Sequence, residues 1–222
     1  MNERSRQQVI FLLSPANSSS FRGNLLLSDS AKSALAQRLR SEKVSLGEIF
    51  TFISGLYFRG KLAYATAYAN PSRGLPGVAV ITPAGGLVSP DRLLTLEELR
   101  EIVAGRIDAS DSRYRIPLER DACLLRDQLG RNCRVVLLGS IATPKYVEPL
   151  LAVFGKRLMF PAEFVGRGDM SRGGLMLRCV REQVQLSYVP VAGTVRHGER
   201  PPRLPKLRAA SVSVTVARSI VR

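Results

Sequence analysis

Histidine is almost missing from this 222-residue chain, which has a single one, His197, and no tryptophan. Zinc hydrolases, Ser-His-Asp triads and Cys-His nucleophile pairs all depend on a positioned imidazole. His197 lies in a polar, proline-flanked stretch that is typical of a loop, and one residue there cannot serve such sites. An enzyme built on this chain therefore has to use carboxylates, lysines, tyrosines, hydroxyls or backbone amides, and the sequence predicts no metal and no cofactor.

Cysteine and long apolar runs are also scarce. The three cysteines, Cys123, Cys133 and Cys179, form no CxxC pair, which argues against a disulfide framework and against a thiolate zinc site. No apolar run approaches the roughly 18 residues of a membrane span. The run over 9–13 is too short for the core of a signal peptide. We therefore expect a cytoplasmic protein that does not contact a membrane.

Acidic residues are few compared with basic ones. The chain has 18 Asp and Glu against 33 Lys and Arg, a formal net charge of +15, while its 45% of hydrophobic residues is enough for a buried core. An excess of this size favours a polyanionic partner such as nucleic acid. Neither GxxxxGK[ST] nor GxGxxG occurs at a strand end, so the sequence argues against a nucleotide triphosphatase and a dinucleotide-dependent dehydrogenase.

Strand and helix patterns alternate along the chain, which predicts an α/β fold with a mainly parallel central sheet flanked by helices. We assign residues 1–195 to this α/β domain and residues 196–222 to a basic, Pro/Arg-rich C-terminal tail. Strands are expected at 9–13, 77–82, 134–139, 158–160 and 184–191, helices at 30–43, 46–54, 56–69, 96–104, 117–130 and 144–154, and a Gly- and Arg-rich turn at 166–174.

Three loops that follow predicted strands contain small or hydroxylated residues: 14–20, 82–86 and 139–143. In open parallel sheets, ligands bind beyond the carboxyl ends of the strands, where backbone amides at helix N-termini are exposed. The loops therefore predict a crevice for a base, a sugar or a phosphate, although the same residues suit any tight turn. The candidate ligand-binding residues are Ser14, Asn17, Gly139, Ser140, Lys145 and Tyr146.

The segment 166–174 has the densest cluster of charge. Arg167, Ser171 and Arg172 suit phosphate oxygens, since guanidinium groups bind them in a bidentate manner. Asp169 lies between the two arginines and is a candidate base or orienting group. The alternative is a solvated turn in which Asp169 only neutralises its neighbours.

Aromatic and cationic residues alternate over 57–68, a composition typical of surfaces that stack bases and bind phosphates. At helical spacing Tyr57, Tyr64 and Tyr68 instead fall on one face, and such a face more often belongs to the core. The candidate nucleic-acid contacts are Arg59, Lys61, Arg178, Arg196, Arg200 and Arg203.

Several stretches resemble the YaaA-like proteins and their uncharacterised bacterial relatives. A strand followed by Ser14-Pro15-Ala16, the loop 85–91, the helix start Lys145-Tyr-Val-Glu-Pro-Leu150 and the Gly-rich segment 166–175 carry the resemblance. It implies a fold of the uracil-DNA glycosylase type, a three-layer sandwich, and a role in DNA binding, so that DNA is favoured over RNA. The acid after the first strand and the late His-Pro-Ser loop of uracil-excising enzymes are missing here.

The leading hypothesis is a nucleic-acid-binding α/β protein with a basic cleft at the carboxyl ends of its strands. A second is an enzyme, of glycosidase or transglycosylase type, that acts on a nucleobase or nucleoside without a metal. Asp91 and Asp169 are then the acid/base candidates, since a positioned carboxylate can activate water. A third is a basic module that docks an acidic protein. The oligomeric state is left open.

Overall fold

The computed structural model describes residues 7–204 of the chain. Most of the predicted basic tail, residues 205–222, lies outside the described residues, together with 1–6. The described part of the tail contacts the domain, because Arg196 Nη1 donates to the carbonyl of Ile141 over 3.4 Å. None of the described helices is long and apolar enough to cross a membrane.

A six-stranded sheet forms the centre of the protein, in the order β4-β3-β1-β6-β7-β8. The inner strands β3, β1, β6 and β7 are parallel, and the edge strands β4 and β8 pair antiparallel to them. A separate antiparallel pair joins β2 to β5. The strands are β1 (Val9–Leu13), β2 (Val44–Ser45), β3 (Val78–Thr82), β4 (Gly86–Val88), β5 (Leu93–Leu94), β6 (Arg134–Leu138), β7 (Leu158–Pro161) and β8 (Tyr188–Pro190).

The two central strands are continuous apolar runs, as strands covered on both faces should be. Every residue of β1 is buried, and so are the last four of β6. Phe11 of β1 lies opposite Val78 on one side and Val136 on the other. The predicted α/β class with a mostly parallel sheet flanked by helices is therefore confirmed.

Eight α-helices occur in the described part of the chain. Several begin at a side-chain cap; the Thr95 hydroxyl and the Glu98 carboxylate, for example, form a reciprocal capping box. The helices are α1 (Phe21–Leu27), α2 (Ala34–Ser41), α3 (Leu46–Ser54), α4 (Leu56–Tyr68), α5 (Leu96–Ile102), α6 (Ser112–Gln128), α7 (Pro144–Phe154) and α8 (Asp169–Glu182).

The structure corrects four of the predicted elements. The segment 166–174 is not a turn, because helix α8 begins within it at Asp169. The helix expected to start at Pro117 starts at Ser112, where the Asp111 side chain accepts the backbone N–H of Arg113. Helix α2 begins after a Ser33 cap and is shorter than the predicted 30–43. The late strand is reduced to three residues, while α1, β2, β4 and β5 were not predicted.

Helices α4 and α8 pack closely, and this contact sets the position of the site. Gly60 and Gly173 face each other at the crossing: a Cβ on Gly60 would lie 2.6 Å from the Gly173 carbonyl oxygen. Only glycine allows two helix backbones to approach this closely. The contact brings the first turn of α8 next to the loop that follows β1.

Candidate functional site

A polar crevice of about 460 Å³ lies at the carboxyl ends of β1, β3 and β6, where ligands bind in open α/β sheets. The loops after these three strands form its walls, together with the starts of α7 and α8. The lining residues are Ser14, Pro15, Ala16, Asn17, Ser18, Ser19, Ser54, Tyr57, Pro83, Gly105, Arg106, Ile107, Ser140, Lys145, Tyr146 and Asp169.

The loop after β1 supplies the hydroxyl-rich wall. Ser14 is buried and continues the strand pairing, since its N–H donates to the Leu138 carbonyl over 3.0 Å. Asn17 turns the chain by accepting the N–H of Ser19 on its side-chain oxygen. The Ser20 hydroxyl then caps α1. Ser14 is thereby fixed at the base of the crevice, while Asn17 is exposed.

The loop after β6 forms the opposite wall. Gly139 has to be small here, because a Cβ on it would lie 2.9 Å from the Ser14 Cβ. Helix α7 begins at Pro144 as predicted, but the Thr143 hydroxyl does not cap it. Its first backbone N–H groups are thus available to a ligand. Lys145 Nζ lies 5.1 Å from the centre of the Tyr146 ring.

Lys61 of α4 lies beneath the crevice and is fully buried. Its Nζ donates to the Ser14 carbonyl oxygen and lies 2.8 Å from the Ser14 hydroxyl oxygen. The rings of Tyr57 and Phe58 face the same nitrogen, at 4.4 and 5.1 Å from their centres. Burial lowers the pKa of Lys61 to about 7; the Asp169 carboxylate opposes this shift and the Arg172 charge adds to it.

Arg172 of α8 is also buried, at 7% exposure. Its guanidinium donates to the carbonyls of Phe164 and Gly139 and lies 3.8 Å from the Asp169 carboxylate. It was predicted to clamp a phosphate. In the structure, Arg172 instead joins α8 to the loop after β6 through these hydrogen bonds. Its positive charge therefore lies behind the crevice wall and not on its surface.

Two further groups give the crevice its polarity. Tyr57 is 7% exposed, and its hydroxyl makes no well-formed hydrogen bond among the described residues, although the Arg172 guanidinium lies close enough to donate to it weakly. Burial and the nearby Asp169 carboxylate raise the pKa of Tyr57 to about 12, against the effect of Arg172. Burial likewise raises the pKa of Tyr146. Asp169 is exposed at the start of α8, where Gly168 provides no side-chain cap.

A second groove, of about 350 Å³, lies on the other side of the first turn of α8. Its cations are Arg167, Arg200 and Arg203, and no acid lies among its lining residues within 7–204. Arg167 donates to the Ser171 hydroxyl over 3.3 Å. The described residues after Arg196 therefore approach α8 and add positive charge beside the crevice.

The structure brings together most of the residues predicted to bind a ligand. Ser14, Asn17, Ser140, Lys145, Tyr146 and Asp169 line the crevice, with Gly139 in contact with Ser14. Arg167 and Ser171 line the second groove with Arg200 and Arg203, whereas Arg196 reaches the loop after β6.

Other predicted residues lie elsewhere. Asp91 occupies an exposed turn before β5 and does not line the crevice. Arg59 is exposed on α4, and Arg178 is half-buried in α8. Lys61 was expected on a nucleic-acid-binding surface, but its complete burial rules out direct contact. Tyr64 belongs to the core, as the buried-face interpretation requires.

Arg106 lines the crevice from the loop after α5 but was not among the predicted residues. No motif marks this residue; only the adjacent Gly105, at φ +87°, indicates a turn. The pairing of Ser14 with Lys61 was also missed, because 47 residues separate them.

The chain was compared with protein-family models, with curated proteins and with solved structures. None of them matches it. Within residues 7–204, no three His, Cys, Asp or Glu side chains converge as metal ligands. The function has to be argued from the crevice itself.

Proposed function

We propose that this protein binds nucleic acid, with one nucleotide unit in the crevice and the phosphate backbone continuing across the first turn of α8 into the second groove. DNA is the favoured ligand. The following contacts support this proposal.

The observation that carries the proposal is the convergence of two uncapped helix N-termini on one polar crevice. Neither Thr143 of α7 nor Gly168 of α8 caps its helix through a side chain. Backbone N–H groups and the helix dipole at such ends favour an anion. The first turn of α8 already carries the Asp169 carboxylate, whereas the first turn of α7 has no acid, so a phosphate would approach the α7 end. Tyr57, itself 93% buried, also lines this crevice and adds an aromatic wall to it.

Charge supports a polymer rather than a single small anion. Arg106 and Lys145 line the crevice against one carboxylate, Asp169, and three arginines line the adjacent groove without an acid among its described lining residues. Backbone-binding proteins place cations along the path of the phosphates. Five such contacts predict a slope of log affinity against log salt of about −4.5 for duplex and about −3.5 for a single strand.

The resemblance to YaaA-like proteins and to the uracil-DNA glycosylase fold forms part of this proposal. Of the stretches that carry it, Ser14-Pro15-Ala16 and the helix start Lys145-Tyr146 line the crevice. The loop 85–91 includes strand β4 at the sheet edge. Two of the stretches that carry the resemblance therefore lie where we expect the ligand.

Fluorescence anisotropy with labelled duplex and single-stranded DNA tests the proposal, over salt concentrations from about 50 to about 300 mM. Lys145→Ala should weaken binding uniformly across sequences and reduce the salt slope by about one, as the loss of a phosphate contact does. Arg73→Ala is the matched control, since Arg73 is exposed in the loop before β3. This loop lies at the amino end of the strand, whereas the crevice lies at the carboxyl ends.

Two results would overturn the proposal. One is the absence of micromolar binding at the lowest salt concentration. The other is an equal effect of Lys145→Ala and Arg73→Ala, which would show that net charge, and not the crevice, is responsible.

A further inference from the structure

Ser14 and Lys61 form a close pair at the base of the crevice. The Ser14 hydroxyl oxygen lies 2.8 Å from Lys61 Nζ, and the same nitrogen donates to the Ser14 carbonyl. An ammonium donates to both Ser14 oxygens. An unprotonated amine keeps both contacts as well: one N–H donates to the carbonyl, and the lone pair accepts the hydroxyl proton. That arrangement is the one required of a nucleophile and its general base.

The surroundings of Lys61 favour the unprotonated amine near neutral pH. The side chain is fully buried, and no carboxylate in residues 7–204 forms a salt bridge with it. Burial is the main cause that lowers its pKa to about 7. Two charged groups of α8, Asp169 and Arg172, act on it in opposite directions. A lysine that is tuned in this way can replace histidine as a base.

We propose that Ser14 is a catalytic nucleophile, activated by Lys61, that attacks the phosphorus of a phosphodiester held in the crevice. The choice of substrate rests on the proposed function, because bound nucleic acid supplies the phosphodiester. The assignment of the nucleophile rests on the Ser14–Lys61 geometry alone.

The chemical steps balance without a metal or a redox partner. The Ser14 oxygen bonds to phosphorus as its proton passes to Lys61 Nζ, and the bond to the leaving alkoxide breaks with its electron pair. Lys61 then protonates that alkoxide. Water then attacks the phosphorus of the phosphoserine ester and gives one proton to Lys61. The Ser14 oxygen leaves phosphorus and takes this proton from Lys61. The products are an alcohol and a phosphomonoester.

The crevice offers stabilisation for the negative charge that builds up on phosphorus. The first turn of α7, which has no acid, opens on the space that Ser14 lines, whereas the first turn of α8 carries the Asp169 carboxylate. Preorganised N–H groups of this kind stabilise a developing oxyanion. Gly139 maintains the geometry, because a side chain there would collide with Ser14.

The opposite assignment is that Lys61 is a permanent ammonium ion that only holds the Ser14 loop. The two assignments differ in pH dependence. A general base gives Ser14 a reactivity that rises with pH through the titration of Lys61. The other groups around it are Asp169, Arg172 and the phenols of Tyr57 and Tyr146, and burial keeps both phenols protonated in this range.

A fluorophosphonate probe tests the nucleophile directly, since it phosphonylates an activated serine without needing nucleic acid. Intact mass and peptide mapping should place the adduct on Ser14. The labelling rate should rise with pH with a midpoint near 7, over a range of about pH 5.5 to 9. Ser14→Ala should abolish labelling, and Lys61→Met should slow it by about 100-fold or more. Ser72→Ala, a change in the loop before β3, is the control. Ser14 in this variant should be labelled at the wild-type rate.

If Lys61→Met does not fold, the pH dependence of labelling in the wild-type protein still tests the proposal. Labelling at Ser14 with that midpoint supports the proposal. No adduct on Ser14, or a rate without a midpoint in that range, overturns it.

Hydrolysis of bis(p-nitrophenyl) phosphate tests the substrate class. If the protein releases nitrophenolate and Ser14→Ala abolishes this release, phosphodiester chemistry is supported. If the protein is labelled at Ser14 but releases no nitrophenolate, the assignment of a phosphodiester substrate is overturned. Neither assay uses DNA, so a failure of the proposed function appears separately, as a loss of binding in the anisotropy experiment.

Discussion

The buried lysine makes the stability of the protein depend on pH in a way that one substitution should remove. An ordinary lysine titrates near 10.5, whereas burial lowers the pKa of Lys61 to about 7. This difference corresponds to about 5 kcal/mol between burying the charged and the neutral form. Between these two pH values the unfolded chain binds the proton that the folded chain has lost. The free energy of unfolding therefore rises with pH in this window, and the contribution is lost as pH falls towards 7.

Lys61→Met should abolish this dependence, because methionine fills a similar volume and does not titrate. From pH 7 to pH 9, the Lys61 contribution to the free energy of unfolding amounts to about 2 kcal/mol. Chemical denaturation at several pH values measures it as the difference between the wild-type and variant curves. Contributions of tyrosines and cysteines cancel in that difference. Lys32→Met, which removes an exposed lysine, is the control and should keep the wild-type slope.

Parallel curves for wild type and Lys61→Met would refute the reasoning. They would mean that Lys61 keeps its proton in the folded state and that its burial is compensated by its contacts with Ser14 and with the aromatic rings. A wild-type curve that falls from pH 7 to pH 9 relative to the variant would contradict the sign of the linkage.

Two other substitutions test the site and its frame. Tyr57→Phe removes a buried hydroxyl that makes no well-formed hydrogen bond, so thermal or chemical unfolding should show unchanged stability or a gain of about 1 kcal/mol. A clear loss of stability would show that the contact with Arg172 is a full hydrogen bond. Gly60→Ala forces a Cβ to within 2.6 Å of the Gly173 carbonyl oxygen and should cost about 2 kcal/mol in chemical denaturation. Gly174→Ala is the control, because a Cβ there would lie 3.9 Å from its nearest neighbour, Leu204. It should leave the free energy of unfolding unchanged or raise it. Equal losses of stability for the two alanine variants would contradict the close crossing of α4 and α8.

The sheet was predictable from the sequence because its central strands are encoded locally. The apolar runs of β1 and β6 have the length and composition of buried parallel strands. Helix α8 was not predictable in the same way. Its first turns contain glycines and charges that are typical of a loop, and Gly173 is required for contact with α4 rather than for a turn. A tertiary contact overrides local propensity there.

The position of the crevice was also predictable, since parallel strands bring the loops at their carboxyl ends to one edge of the sheet. What the pattern did not indicate was which cations remain at the surface. Arg172 and Lys61 were both expected to face a ligand, and both are buried.

Helix α4 shows why the sequence could not separate a buried lysine from an exposed one. Its apolar residues are spread around the helix instead of forming one face, because it packs against α3, α8 and β1 at once. Under these conditions helical periodicity does not assign a residue to core or solvent. Lys61 follows Tyr57 by four residues and so lies on the same side of the helix, next to a ring that is itself buried. The deciding fact is the partner, Ser14, which only the folded sheet brings to Lys61. The pairing that gives the crevice its chemistry is therefore a property of the topology, and substitutions at either residue should be interpreted as changes to the pair.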